Sequence, residues 1–172
     1  MANADLPRGF RPHGDILHIG IYIAASTVYP GDAVKFEAGA SSTTRFRAQV
    51  EAGSDTGAIC GVALNYAIAG QVVHVCDDPS QFFVGQCDES DFDSNADLNL
   101  NTNILATSGD TTYKCSRMEL DSSDLQTTGT LQVKVLGYPA RQDGKNQMGA
   151  NAEVIFKINN HQLGSHTGTD GV

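Results

Sequence analysis

The segment Asp91-Phe92-Asp93-Ser94-Asn95-Ala96-Asp97 sets oxygen-bearing side chains at alternate positions, as the first half of a calcium loop does around its ion. The match stops there. Position six of such a loop needs Gly for a sharp turn and here carries Ala96; position twelve needs a bidentate Glu and carries Thr102. The segment therefore reads as a solvated acidic turn, and neither a metal nor any other cofactor is expected. The five histidines, His13, His18, His74, His161 and His166, never stand four apart as two ligands on one helix face would, and HExxH is absent. His74 falls within a strand pattern and suits a surface or interface position. His161 follows Asn159-Asn160 at a strand end, where polar side chains bond the turn backbone.

Nucleophilic chemistry finds no better footing. The chain has no GxSxG or SxxK, no Cys with a credible His and Asn context, and no GxGxxG or phosphate loop. Cys60, Cys76, Cys87 and Cys115 are spaced too widely for CxxC chemistry, and four thiols in 172 residues do not make a disulfide scaffold. They read as reduced, mostly buried, small apolar residues. No enzymatic activity is expected.

Charge narrows the partners. The net −9 is concentrated in residues 51–100, which carry nine acidic side chains and no Lys or Arg, while the flanking segments are near neutral. A phosphate backbone is held by clustered Lys and Arg, so this stretch argues against nucleic-acid binding. It suits a solvent-facing surface or a face that meets a basic partner. No apolar run is long enough to span a bilayer, and Met1-Ala2-Asn3-Ala4-Asp5 lacks the basic and apolar regions of a secretory signal, so the expectation is cytoplasmic synthesis with no membrane partner.

The elements that must position any site are short. Gly, Ser, Thr and Asn supply 53 of the 172 residues, which predicts many turns and excludes long helices. Strand patterns rich in β-branched and aromatic residues occupy 16–23, 33–37, 45–51, 58–64, 71–76, 81–86, 112–120, 130–137 and 152–159, each bounded by turn residues. The last two alternate well and should pair antiparallel. Residues 88–106 are polar and allow only a loop or a short helical turn. The fold class is all-β, a sandwich or small open barrel with little helix. It forms one β domain over 16–163, preceded by an extended arm over 1–15 and followed by a flexible tail over 164–172. In the arm, Pro7 and Pro12 forbid a helix interior or a central strand. Such a segment commonly frays. Here, though, Phe10 sits between Arg8 and Arg11, an aromatic anchor flanked by two forked donors, which suits docking on another surface.

Both ends of the chain resemble a known family. Ala2-Asn-Ala-Asp-Leu-Pro-Arg-Gly-Phe-Arg-Pro12 and Val154-Ile-Phe-Lys-Ile-Asn-Asn-His-Gln-Leu163 resemble the termini of the small head decoration, or cement, proteins of tailed bacteriophages. Gly57-Ala-Ile-Cys-Gly-Val-Ala-Leu64 leading into Gly70-Gln-Val-Val-His-Val75, and Met118-Glu-Leu-Asp-Ser-Ser123, agree with it, and the Gly-Val-Ala-Leu turn is similar to that of the β-tulip decoration proteins of lambda-like phages. The resemblance implies a β-tulip or β-sandwich body forming trimeric knobs on the outside of an icosahedral head, with the major capsid protein and further copies of itself as partners. It implies no catalytic residues. Its arm matches Pro7, Arg8, Gly9, Phe10, Arg11 and Pro12 here, which become the expected capsid-binding residues. A cement protein must add buried area across capsomer joints, and an extended arm covers much surface with few residues. Two rival readings remain open. One is a carbohydrate- or host-binding β module of a virion, such as a fibre or adhesin domain; against it, the chain has no Trp and only five Tyr for aromatic platforms. The other is a further virion part, such as a connector or tail-tube subunit.

Overall fold

Runs of β-branched residues broken every few positions by Gly, Asn, Asp or Pro cannot sustain a helix and fold as short strands. A computed structural model describes residues 3–37, 47–88, 92, 94–139, 146–164, 168 and 171. The strands are β1 (Arg11–His13), β2 (Ile19–Ala24), β3 (Ala33–Phe36), β4 (Gln49–Ala52), β5 (Gly61–Ala63), β6 (Val72–Cys76), β7 (Phe82–Gln86), β8 (Asn101–Thr102), β9 (Ile104–Leu105), β10 (Glu119–Leu120), β11 (Val133–Gly137) and β12 (Glu153–Ile158). Among the described residues helix is confined to single 3-10 turns at Asn95–Asp97 and Ser122–Asp124. Among the described residues no helix is long and apolar enough to cross a membrane.

Five strands close into a barrel in the order β2-β4-β3-β5-β6, with β2 and β4 parallel and the other pairs antiparallel. A barrel of so few strands has a narrow lumen that only small side chains can fill. The sequence meets that demand with Ala24, Val28, Val34, Val50, Cys60, Ala63, Ala67, Val73 and Val75. The other major element is an antiparallel sheet in the order β1-β7-β12-β11-β8, and the expected pairing of the last two long strands is present as β11 with β12. Along β12, Val154, Phe156 and Ile158 point inward while Glu153, Ile155 and Lys157 are half-exposed. A larger core joins both bodies: Ala33, Ile59, Val62 and Cys76 from the barrel region pack with Phe83, Val133, Val154 and Phe156 of the sheet.

Two regions differ from the sequence expectation. Residues 112–120 form a strand only at 119–120, because the Asp110 carboxylate accepts the Thr112 and Tyr113 N–H groups and folds the segment as a turn. Residues 88–106 hold two short strands besides the expected helical turn. Of the C-terminal tail, residues 165–167, 169, 170 and 172 lie outside the described residues. Gly171 is buried and donates its N–H to the Thr127 carbonyl at 2.8 Å.

Candidate functional site

The arm is the first place to look for a docking site, and its central residue is spoken for. Phe10 is 3% exposed, its ring meeting Phe156 edge-on with centroids 5.1 Å apart. Gly85 makes room for it, since a Cβ there would collide with the Phe10 ring. The Phe10 N–H donates to the Gly31 carbonyl at 2.8 Å. Gly9 reaches this place with φ of +68° and lies so close to Ser116 and the Gly31 carbonyl that a side chain would clash. Arg11–His13 then pair with Phe82–Val84 as an edge strand, where the missing N–H of Pro12 costs no ladder bond.

Further upstream the arm is stitched down by side chains. Gln86 accepts from the Leu6 N–H and donates to the Ala4 carbonyl, and Asn3 bonds Gln147 and Ala150. The expectation of a separate docking arm anchored by Phe10 is corrected accordingly: burying an aromatic ring in the chain's own core satisfies it where a partner was expected to. Arg8 and Arg11 stay exposed, Arg11 in an ion pair with Glu153 at 2.8 Å, and Pro7 and Pro12 are half-buried.

A different surface is open. β2 alternates, but its outward positions are Ile19 and Ile21, both exposed. Paired residues share a face, so the β2–β6 register sets His74 opposite Ile21, with Val72 the next outward residue of β6. Both are exposed. The connection from β1 to β2 adds exposed Ile16 and Leu17, held to the start of β7 by the Leu17 N–H donating to Gln81 Oε1 at 3.0 Å. His74 thus stands on the outer face, as its strand position suggested, its N–H bonded to Asn65 Oδ1 at 2.7 Å.

At the edge of this face lies a polar cluster that the sequence did not single out. Ile19 pairs with Cys76, which brings His18 beside Asp77. The Asp77 carboxylate is 3% exposed, bonds His18 Nδ1 at 2.5 Å through Oδ1, and accepts the Tyr22 hydroxyl through Oδ2. The hydrogen bond to Asp77 and its charge raise the His18 pKa above its ordinary value, with Asp78 adding to the effect. Burial first, and then Asp77, raises that of Tyr22. An Asp–His pair can orient a general base, but the thiols near Asp77 are poor nucleophiles: burial pushes Cys60 up to about 12 and Cys76 up to about 11, so both are protonated at neutral pH. All four cysteines are free thiols, and Cys60, Cys76 and Cys87 are buried as expected.

Several carboxylates of the acidic stretch have internal work. Asp55 accepts the Ala106 N–H, Asp88 accepts the Ser122 N–H and hydroxyl, and Asp97 accepts the Ser94 N–H in a capping box. Asp91 and Asp93 of the calcium-like segment lie outside the described residues; among those described, no three metal-ligating side chains gather. His161 is buried, and its Nδ1 accepts the Leu163 N–H at 3.0 Å, the turn-backbone bond its position suggested. Comparison with known proteins adds no relative: no protein-family model and no curated protein matches this chain.

Proposed function

We propose that this chain is a structural decoration protein of a tailed-bacteriophage head, seated on the outer surface of the icosahedral shell as a homotrimer and bridging neighbouring major capsid subunits. The termini and two interior stretches that resemble decoration proteins support this reading. The observation that carries it is the apolar outward face of β2 and β6, where Ile19, Ile21 and Val72 stand exposed beside Ile16 and Leu17 on a chain of net charge −9. Contiguous exposed apolar side chains on an otherwise polar protein mark an interaction surface. In this reading the face, and not a free arm, makes the contact with capsid or with a neighbouring copy. The arm serves instead to lock the sheet, giving a rigid body suited to bracing a shell. The protein acts in the virion, without nucleic acid, membrane or catalysis.

The test adds purified protein to undecorated heads and follows occupancy by sedimentation. Wild type should saturate the heads, and Ile19→Asp with Ile21→Asp should bind at least about tenfold more weakly, since burying each Ile is worth ~1.5–3 kcal/mol. Both positions are exposed, so the variant should remain folded. Absence of wild-type binding, or equal occupancy by the variant, would overturn the reading.

A further inference from the structure

The outward face of β2 and β6 is not only apolar; it carries no acid. Its outward positions are Ile19, Ile21, Val72 and His74, so no Asp or Glu stands on it although the chain has 20 of them. The Asp77 carboxylate at its edge is 3% exposed and is covered by His18 and the Tyr22 hydroxyl, an arrangement for which Gly20 leaves the room. On a chain of net −9, a surface made to meet a basic partner would display its carboxylates. A surface made to meet another copy of the same chain must withhold them, because like charges brought into contact are strongly unfavourable.

The size of the face suits such a contact. Gln81 accepts the Leu17 N–H and donates to the Phe82 carbonyl, which brings Phe82 beside Leu17 and extends the exposed apolar surface onto the start of β7. Ile16, Leu17, Ile19, Ile21, Val72 and Phe82 are each 43–55% exposed. Six large side chains at about half exposure offer on the order of 500 Å², the apolar share, about 60%, of the ~800 Å² that a stable contact takes from each partner. The two ends of the face are also complementary in charge. Exposed Asp15 precedes Ile16 at one end, and at the other the Arg47 guanidinium donates to the Ile21 carbonyl at 3.5 Å. Copies set head to tail, as around a threefold axis, bring the Asp15 end of one face to the Arg47 end of the next.

We propose that the outward face of β2 and β6 is the contact between copies of this chain, each copy covering the face of its neighbour, and that the capsid is met elsewhere. This rests on the reading of the face as a contact surface and names its occupant as a second copy.

The test is sedimentation velocity of the full chain alone, without heads, from about 1 to 200 µM in about 0.15 M salt, where repulsion between acidic copies is screened beyond ~8 Å. Wild type should assemble into a discrete oligomer within that range. Ile19→Asp with Ile21→Asp should weaken assembly at least about tenfold, with an unchanged circular dichroism spectrum because both positions are exposed; should the spectrum change, Val72→Asp decides in its place. Leu6→Asp with Met148→Asp adds the same charge at exposed apolar positions near the far end of β7, and should assemble as wild type does. A wild type that stays monomeric throughout, undiminished assembly of the variant altered on the face, or equal weakening by the Leu6 and Met148 pair would each overturn the proposal. A monomeric wild type that still saturates undecorated heads would assign the face to the capsid, whereas an oligomer that binds no heads would sink the decoration role and leave this contact standing.

Discussion

Replacing Phe10 with alanine removes a ring that touches both the Phe156 ring and the Gly85 backbone from a position 3% exposed. Large-to-small substitution of a buried Phe costs about 3–5 kcal/mol in lost transfer energy and cavity. Little relaxation is available, because Gly9 is wedged against Ser116 and β1 is paired with β7, so the walls cannot close on the space. For a chain of this length about 2–4 °C of Tm goes with each kcal/mol. Phe10→Ala should therefore melt roughly 6–20 °C below wild type, and its urea midpoint should fall in step. Arg8→Ala, two residues away and exposed, should stay within about 0.5 kcal/mol. Differential scanning calorimetry and urea unfolding followed by circular dichroism read both. A Phe10→Ala protein that melts with wild type, while binding its partner less well, would refute the assignment of Phe10 to the core and restore the free-arm expectation.

Two pH effects follow from the buried carboxylates. His18 should titrate above its ordinary 6.5 because of Asp77, so its stabilising contribution is complete below that value and is lost as pH rises through the folded pKa; an NMR titration of the His18 ring should show the shift and its loss in Asp77→Asn, and an unshifted wild-type His18 would contradict the geometry. Glu119 is pushed up to about 7, by burial first and then by Asp5 and Asp88, so the folded state holds its proton more tightly than the unfolded one and stability falls as pH climbs from about 4.5 to 7. Glu119→Gln should remove that fall and raise Tm at pH ~8 by a few degrees, on the order of 1 kcal/mol; a variant less stable than wild type at that pH would show that the ionised carboxylate is favourably held.

Local pattern revealed the strands whose neighbours are close in sequence or whose alternation is strong. β3, β6, β7 and β12 fall within one residue of the expected spans, β11 starts three residues later than expected, and the short helical turn expected within 88–106 is present at Asn95–Asp97. What local pattern cannot supply is long-range pairing. β1 carries no periodicity and two prolines flank the Phe10 region, so it reads as a loose arm until β7, some seventy residues on, provides an edge and Phe156 provides a ring to pack against. The His18–Asp77–Tyr22 cluster was hidden for the same reason: Asp77 meets His18 only once β2 and β6 are set in register. The sequence left a sandwich and a small open barrel as alternatives, and the structure holds a closed barrel filled by Ala, Val and Cys. Its closure depends on the parallel pairing of β2 with β4, which no local feature announces.

The most direct test of the decoration role is cryo-electron microscopy of heads saturated with this protein. Threefold knobs are expected on the outer shell in which the outward face of β2 and β6, with Ile19, Ile21 and Val72, is covered by a capsid subunit or a neighbouring copy, while Phe10 stays packed on Phe156 inside the same chain. Heads that carry no knobs, or knobs whose Ile19 and Ile21 face open solvent, would contradict it.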